Sequence, residues 1–182
     1  QFRRVQNLYG PTETTIGVTI SEPMRVGEPV TLGTPLDGVN LMVLDSRLRP
    51  VAEASPGELY VAGAALSRGY LDRPALTADR FVANPYGGDG DRMYRTGDIV
   101  RWHRNPSGEP VLEYSGRSDD QVKLRGLRIE LGEIEAALNE HPSVRSAVVI
   151  PVGGSVATAL AGYVVADESA IDIDDLREFV GR

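Results

Sequence analysis

Three short stretches hold most of the polar side chains that could do chemistry. The first is NLYGPTETT, Asn7 to Thr15. A Gly-Pro turn is followed at once by three hydroxyls and one carboxylate. Successive backbone N–H groups in a tight turn form an anion nest. Threonine hydroxyls add donors, and the Glu13 carboxylate can hold Mg2+ through oxygen. Together they suit a triphosphate with its metal. The stretch is not the GxxxxGK[ST] phosphate loop, because no lysine follows. It reads equally as the start of a capped helix, with Thr12 as the cap. The second stretch, YRTGD, sets Asp98 behind a glycine turn. A carboxylate there could accept two hydrogen bonds from a ribose diol, or could serve ordinary turn chemistry. The third, GRSDDQVKLRG, places Arg117 and Asp119 where the pattern of the chain changes. An arginine there could reach phosphate or ribose, and a solvated charged link is the alternative. His103 sits in a strand-turn region, His141 is expected against helix-end carbonyls, and Trp102 reads as core.

Composition narrows the classes. The net charge of −7 disfavours a non-specific nucleic-acid binder, which needs a basic face to release counterions. No cysteine is present, so disulfides, thiolate metal sites and a cysteine nucleophile are excluded. No apolar run approaches 18 residues and no signal peptide is visible, so the expectation is a cytoplasmic protein without a membrane segment. Lys123 is the only lysine, the other basic residues being arginine. The first residue is glutamine and the opening reads as a strand already under way. A piece of a longer chain is therefore expected.

The elements that would position these residues can be read in order. VNLMVLD, Val39 to Asp45, is a short apolar run bounded by turn residues and reads as a buried strand. A second strand follows the Pro56-Gly57 turn. ALTADRFV reads as a short helix, MYRTGDIVRWH as two strand pieces hinged at Gly97, and VLEYSGR as a further strand. Short strands joined by Gly/Pro turns suggest a small barrel or curled sheet over about residues 29–116. DQVKLRGLRIE then reads as a hairpin around Gly126. In LGEIEAALNEHP, the residues Leu131, Ile134 and Leu138 share one helix face, and Pro142 ends the helix. VRSAVVIPV and LAGYVVA are strands. DIDDLREFVGR starts a last helix, with Asp172 as N-cap.

In their order, NLYGPTETT, GELYVAGAALSRGYL, YRTGD and GRSDDQVKLRGLRIELGEIE resemble the adenylate-forming superfamily. The closest resemblance is to the amino-acid adenylation domains of nonribosomal peptide synthetases. It covers roughly residues 7–140. The fold implied is α+β: a distorted β-barrel subdomain, then a small mobile α/β C-terminal subdomain, as part of the adenylate-forming fold. The division implied is residues 1–28 as the end of a large nucleotide-binding core, 29–116 as the barrel, and 117–182 as the hinge and an incomplete small subdomain. In this family a substrate carboxylate attacks the α-phosphorus of ATP, aminoacyl-AMP forms and pyrophosphate leaves. The acyl group then passes to a phosphopantetheine thiol on a carrier domain.

By the resemblance, Tyr9 packs against adenine with Asn7 beside it. Thr12 bonds the α-phosphate and Glu13 holds Mg2+. Asp98 takes the ribose hydroxyls, and Tyr114 and Arg117 complete the nucleotide side. Asp119 is the hinge, and Gly126 lies in the loop that reaches the active site in the thioester-forming pose. Leu8, Ile16 and Gly17 line the amino-acid pocket, where the missing side chain at 17 would leave room for a medium or large apolar substrate. Carrier and condensation domains would be partners in the same chain. The family's lysine near the end of the small subdomain would lie beyond Arg182, so the piece alone is expected to be inactive. Two rival readings are an acyl- or aryl-acid ligase of the same superfamily, and a non-catalytic module that docks a carrier protein.

Overall fold

The computed structural model describes residues 4–119, 121–124, 127–153, 157–166 and 171–181. The chain falls into two compact units, Gln1–Ser118 and Asp119–Arg182.

The first unit is built on two sheets. The smaller joins β1 (Leu8–Tyr9), β2 (Thr19–Ile20) and β3 (Thr34–Pro35), all antiparallel. The larger runs β4 (Val39–Leu44), β5 (Gly57–Gly63), β7 (Arg92–Arg104) and β6 (Phe81–Ala83), with β8 (Pro110–Arg117) also on β7. At 13 residues β7 is long enough to pair with β6 near its start and with β8 from Asp98 onward. The sheet curls, and a bridge from Gly33 to Leu112 ties the segment before β3 to β8. Pairs of backbone bonds seal that bridge: Leu32 N–H to the Leu112 carbonyl, and Leu112 N–H to Gly33.

β5 reads LYVA without alternation because both of its faces are covered. Leu59 and Val61 join Val18, Leu32, Val43, Val100 and Leu112 in one apolar cluster. Tyr60 and Ala62 join Leu44 and Met93 in another. Trp102 packs on the rim of the first cluster, as expected of a core residue. The short helix α1 (Pro74–Arg80) has proline in its first turn, where a missing N–H costs nothing. It buries none of its residues.

The second unit opens with an antiparallel pair, β9 (Gln121–Leu124) and β10 (Leu127–Glu130). Gly126 lies outside the described residues. Helix α2 (Leu131–Asn139) packs on β11 (Val144–Val152), which pairs with β12 (Ala159–Ala166). Leu131, Leu138, Val144, Ala147 and Val149 form its core, with Ile134 and Leu176 against it. In α3 (Ile173–Val180) the Asp172 carboxylate accepts from the amides of Asp174 and Asp175. This is the expected N-cap, worth about 1 kcal/mol. His141 departs from expectation. Its ring faces the Asp175 carboxylate at 3.3 Å and meets Phe179 edge-on, rather than the helix-end carbonyls. The reason is packing between α2 and α3: the ring fills the gap where the two helices approach.

Candidate functional site

The site is assembled within the first unit, and β7 is its backbone. Between β5 and β7 the register jumps: Tyr60 pairs with Arg95, yet Glu58 pairs with Ile99. Thr96, Gly97 and Asp98 therefore bulge opposite Leu59 alone. Such a bulge bends the strand and re-aims a side chain. Gly97 adopts φ +77°, which a residue with a Cβ adopts only under strain. The bulge closes on itself. Thr96 Oγ1 donates to the Leu59 carbonyl at 2.8 Å and accepts from Asp98 N–H at 3.0 Å.

Asp98 is 7% exposed and its two oxygens are engaged separately. Arg117 Nη1 donates to Oδ1 at 2.8 Å, and the Tyr9 hydroxyl donates to Oδ2. Arg117 is held in turn by the Thr96 carbonyl, 3.1 Å from Nη2. Burial first, and then the Asp98 carboxylate, push the Tyr9 hydroxyl far above the usual tyrosine range. Tyr9 is thus a neutral donor. Three residues far apart in sequence, Tyr9, Asp98 and Arg117, meet in one cluster.

The opening turn is a second group. Gly10 must be glycine, because a Cβ there would stand 2.2 Å from the Ile16 carbonyl oxygen. Thr12–Thr14 form one 3-10 turn. Pro11, not Thr12, stands at its N-cap position, and no side chain caps it. The capped-helix reading of Thr12 therefore fails, since the chain leaves the turn at once through Thr15 and Ile16, both at positive φ. The nest is also smaller than expected. The amides of Thr14, Thr15 and Gly17 bond the turn's own carbonyls. Of the three hydroxyls, Thr14 bonds Pro11 O and Thr15 bonds Ala65 O. Exposed Thr12 remains as the hydroxyl the turn presents.

Glu13 is 7% exposed, and Tyr70 donates to its Oε1 at 2.6 Å. Burial, and then this bond to Glu13, raise the Tyr70 hydroxyl well beyond its ordinary value, so it too stays a donor. Tyr70 stacks edge-on against Phe81, which contacts Tyr94 of β7. The same strand thus stands behind both carboxylates.

The remaining expected residues divide. Asn7 is committed to the scaffold: its side chain donates to Thr31 O and its amide to Ser21 Oγ. Tyr114 lies on β8 opposite Val100, 46% exposed. Leu8 and Ile16 are exposed, Ile16 at 73%. Beside Gly17 the space is taken by Leu8, whose Cδ1 lies 3.3 Å from the place of a Cβ. The glycine makes room for the Leu8 side chain. Asp119 accepts from Gln121 N–H at 3.4 Å in the second unit. Sequence reasoning missed Tyr70, which orients Glu13, and Thr96, which closes the bulge behind Asp98.

Among the described residues no group of three or more His, Cys, Asp or Glu could cage a metal. A single held carboxylate fits Mg2+ nonetheless, since that ion is usually carried by one or two carboxylates together with substrate phosphates.

The family profile described as AMP-binding enzyme matches residues 1–71. CymA of Salinispora arenicola, a probable non-canonical nonribosomal peptide synthetase, is 51% identical over 99% of this chain. The chain is similar to the AMP-binding enzyme family over residues 1–71 and to a peptide synthetase over nearly its whole length. A dimodular nonribosomal peptide synthase of Bacillus subtilis is 50% identical over 97% of this chain. A solved adenylation-PCP di-domain from Klebsiella oxytoca, the artificial fusion NpsA-ThdA, superposes on 97% of it with a TM-score of 0.71 and 29% identity. The segment spans 2% and 7% of the two synthetases and 33% of the solved chain. Its fold is that of part of an adenylation domain. No helix among the described residues is long and apolar enough to cross a membrane.

Proposed function

We propose that this segment supplies the ribose- and metal-facing wall of the active site in an ATP-dependent amino-acid adenylating enzyme. The whole enzyme forms aminoacyl-AMP and hands the acyl group to phosphopantetheine on a carrier domain, with condensation domains alongside, in the cytoplasm. The observation that carries this reading is the meeting of Tyr9 and Arg117 on the two oxygens of buried Asp98.

A carboxylate fixed in this way has its acceptor geometry set before a nucleotide arrives. A ribose diol would bond the remaining lone pairs of Asp98 and displace Tyr9 from it as needed. Tyr9, an aromatic ring at the same place, would then offer a face to the base. Thr12 would donate its exposed hydroxyl to the α-phosphate. Glu13, oriented by Tyr70, would hold Mg2+, whose charge offsets that of the phosphates when the triphosphate is bound. Nucleotidyl transfer depends mainly on such positioning and neutralisation. No residue in the site need act as a covalent nucleophile. Asp119 is read as the hinge, residues 117–182 as hinge and small subdomain, and Leu8, Ile16 and Gly17 as the rim of the amino-acid pocket.

Pyrophosphate exchange by a full-length adenylation domain that contains this segment tests the reading. Asp98→Asn should lower kcat/KM for ATP by at least about tenfold, the scale of a lost hydrogen bond to a charged group. An unchanged kcat/KM would refute the assignment.

A further inference from the structure

Glu58 has no part in the site as described, yet it is tied to the bulge that carries Asp98. It heads β5, where its side chain is 12% exposed. Arg95 Nε donates to both of its oxygens, at 3.0 and 3.1 Å. Gly97 N–H donates to Oε1 at 3.1 Å. One carboxylate thus bonds residues on either side of Thr96, clasping the bulge from behind.

The other polar groups of the bulge are tied on the remaining sides. Thr96 O accepts from Arg117, Thr96 Oγ1 bonds Leu59 O and Asp98 N–H, and Gly97 O accepts from Ser118 N–H and Oγ at 2.8 and 3.1 Å. Gly97 is the least constrained residue of the three, having positive φ and no side chain. Its amide is held by Glu58. Rotation of the peptide before Gly97 would carry Asp98 with it. We infer that Glu58 is a positioning residue for Asp98: by holding Arg95 and the Gly97 amide together, it fixes the bulge at the orientation in which Asp98 meets ribose.

This inference rests on the reading of Asp98 as the ribose contact, and one experiment separates the two. Glu58 and Arg95 line an open groove with Tyr60 and Ser118. Glu58→Gln therefore removes charge without emptying the core. A full-length adenylation domain that contains this segment would be assayed by pyrophosphate exchange with ATP and with 2′-deoxy-ATP. The readout is the ratio of the two kcat/KM values, which a loss of stability alone would leave unmoved.

In Asp98→Asn the preference for ATP should collapse. In Glu58→Gln it should fall by roughly tenfold, chiefly through KM for ATP, as expected for loosening one charge-assisted contact at a distance. If Asp98→Asn keeps the full preference, the ribose reading is wrong and the inference falls with it. If Asp98→Asn loses the preference while Glu58→Gln retains it, Glu58 is structural and only the inference falls. Should Glu58→Gln not fold, Arg95→Gln serves. It opens the clasp while leaving Gly97 its acceptor, and a retained preference there overturns the inference equally.

Discussion

The two buried carboxylates of the first unit are equally shielded from solvent and are held in different ways. Asp98 sits on a strand bulge, with an arginine on one oxygen and a tyrosine on the other. Glu13 sits on a single 3-10 turn, with a tyrosine hydroxyl on one oxygen. The first is anchored by a charge partner and by backbone tied on several sides. The second depends on a neutral donor that comes from a distant loop. A carboxylate that must present fixed acceptors to hydroxyls benefits from the first arrangement. One that must meet a cation suits the second, where a neutral tyrosine hydroxyl orients one oxygen.

The contrast predicts unequal responses to substitution. The largest is expected for Asp98→Ala, which leaves Arg117, 15% exposed, beside an empty place. Breaking a buried pair from one side costs about 3 kcal/mol, to be read as a lowered urea midpoint for the first unit. A shift no larger than that of a surface mutant would show the pair to be solvated. Tyr70→Phe should cost about 1 kcal/mol, because the ring contact with Phe81 survives while the hydrogen bond to Glu13 is lost. In a full-length domain it should also raise the Mg2+ concentration for half-maximal pyrophosphate exchange several-fold. An unaltered Mg2+ requirement would detach Tyr70 from the metal role of Glu13.

Two smaller effects sharpen the comparison. Tyr9 and Tyr70 hold their protons in the folded chain well above the usual tyrosine range. Unfolded tyrosine ionises near 10. Their contribution to stability is therefore complete below about pH 10 and is lost as the pH rises further. The stability of the first unit should fall on that alkaline side, and the double variant Tyr9→Phe, Tyr70→Phe should flatten the slope. A slope identical to that of the parent would contradict the assignment of these two groups. Replacing Arg101 by Gln, which breaks its exposed pair with Glu113 on β7 and β8, should leave the urea midpoint unchanged.

Much of this was legible in the sequence because local pattern and tertiary demand agree. The strands at Val39–Leu44 and Gly57–Gly63, the helix at Leu131–Asn139 and the Asp172 cap are all written in runs or in adjacent residues. Asp98 behind a glycine was also visible. What could not be read was partnership across distance. Tyr70 lies 57 residues from Glu13, and Glu58 39 residues from Gly97. Neither carries a local signal, because a tyrosine in a bend and an acid at a strand's start are ordinary. The opening turn misled in the other direction. Its hydroxyls looked alike in sequence, yet two are consumed by nearby carbonyls once the backbone turns through Thr15 and Ile16.

The most direct test is a crystal structure of a full-length adenylation domain containing this segment, with AMP bound. The expected result is a ribose diol within hydrogen-bonding distance of the Asp98 carboxylate, with Arg117 still on Oδ1. AMP bound elsewhere, with Tyr9 and Arg117 undisturbed on Asp98, would contradict the assignment.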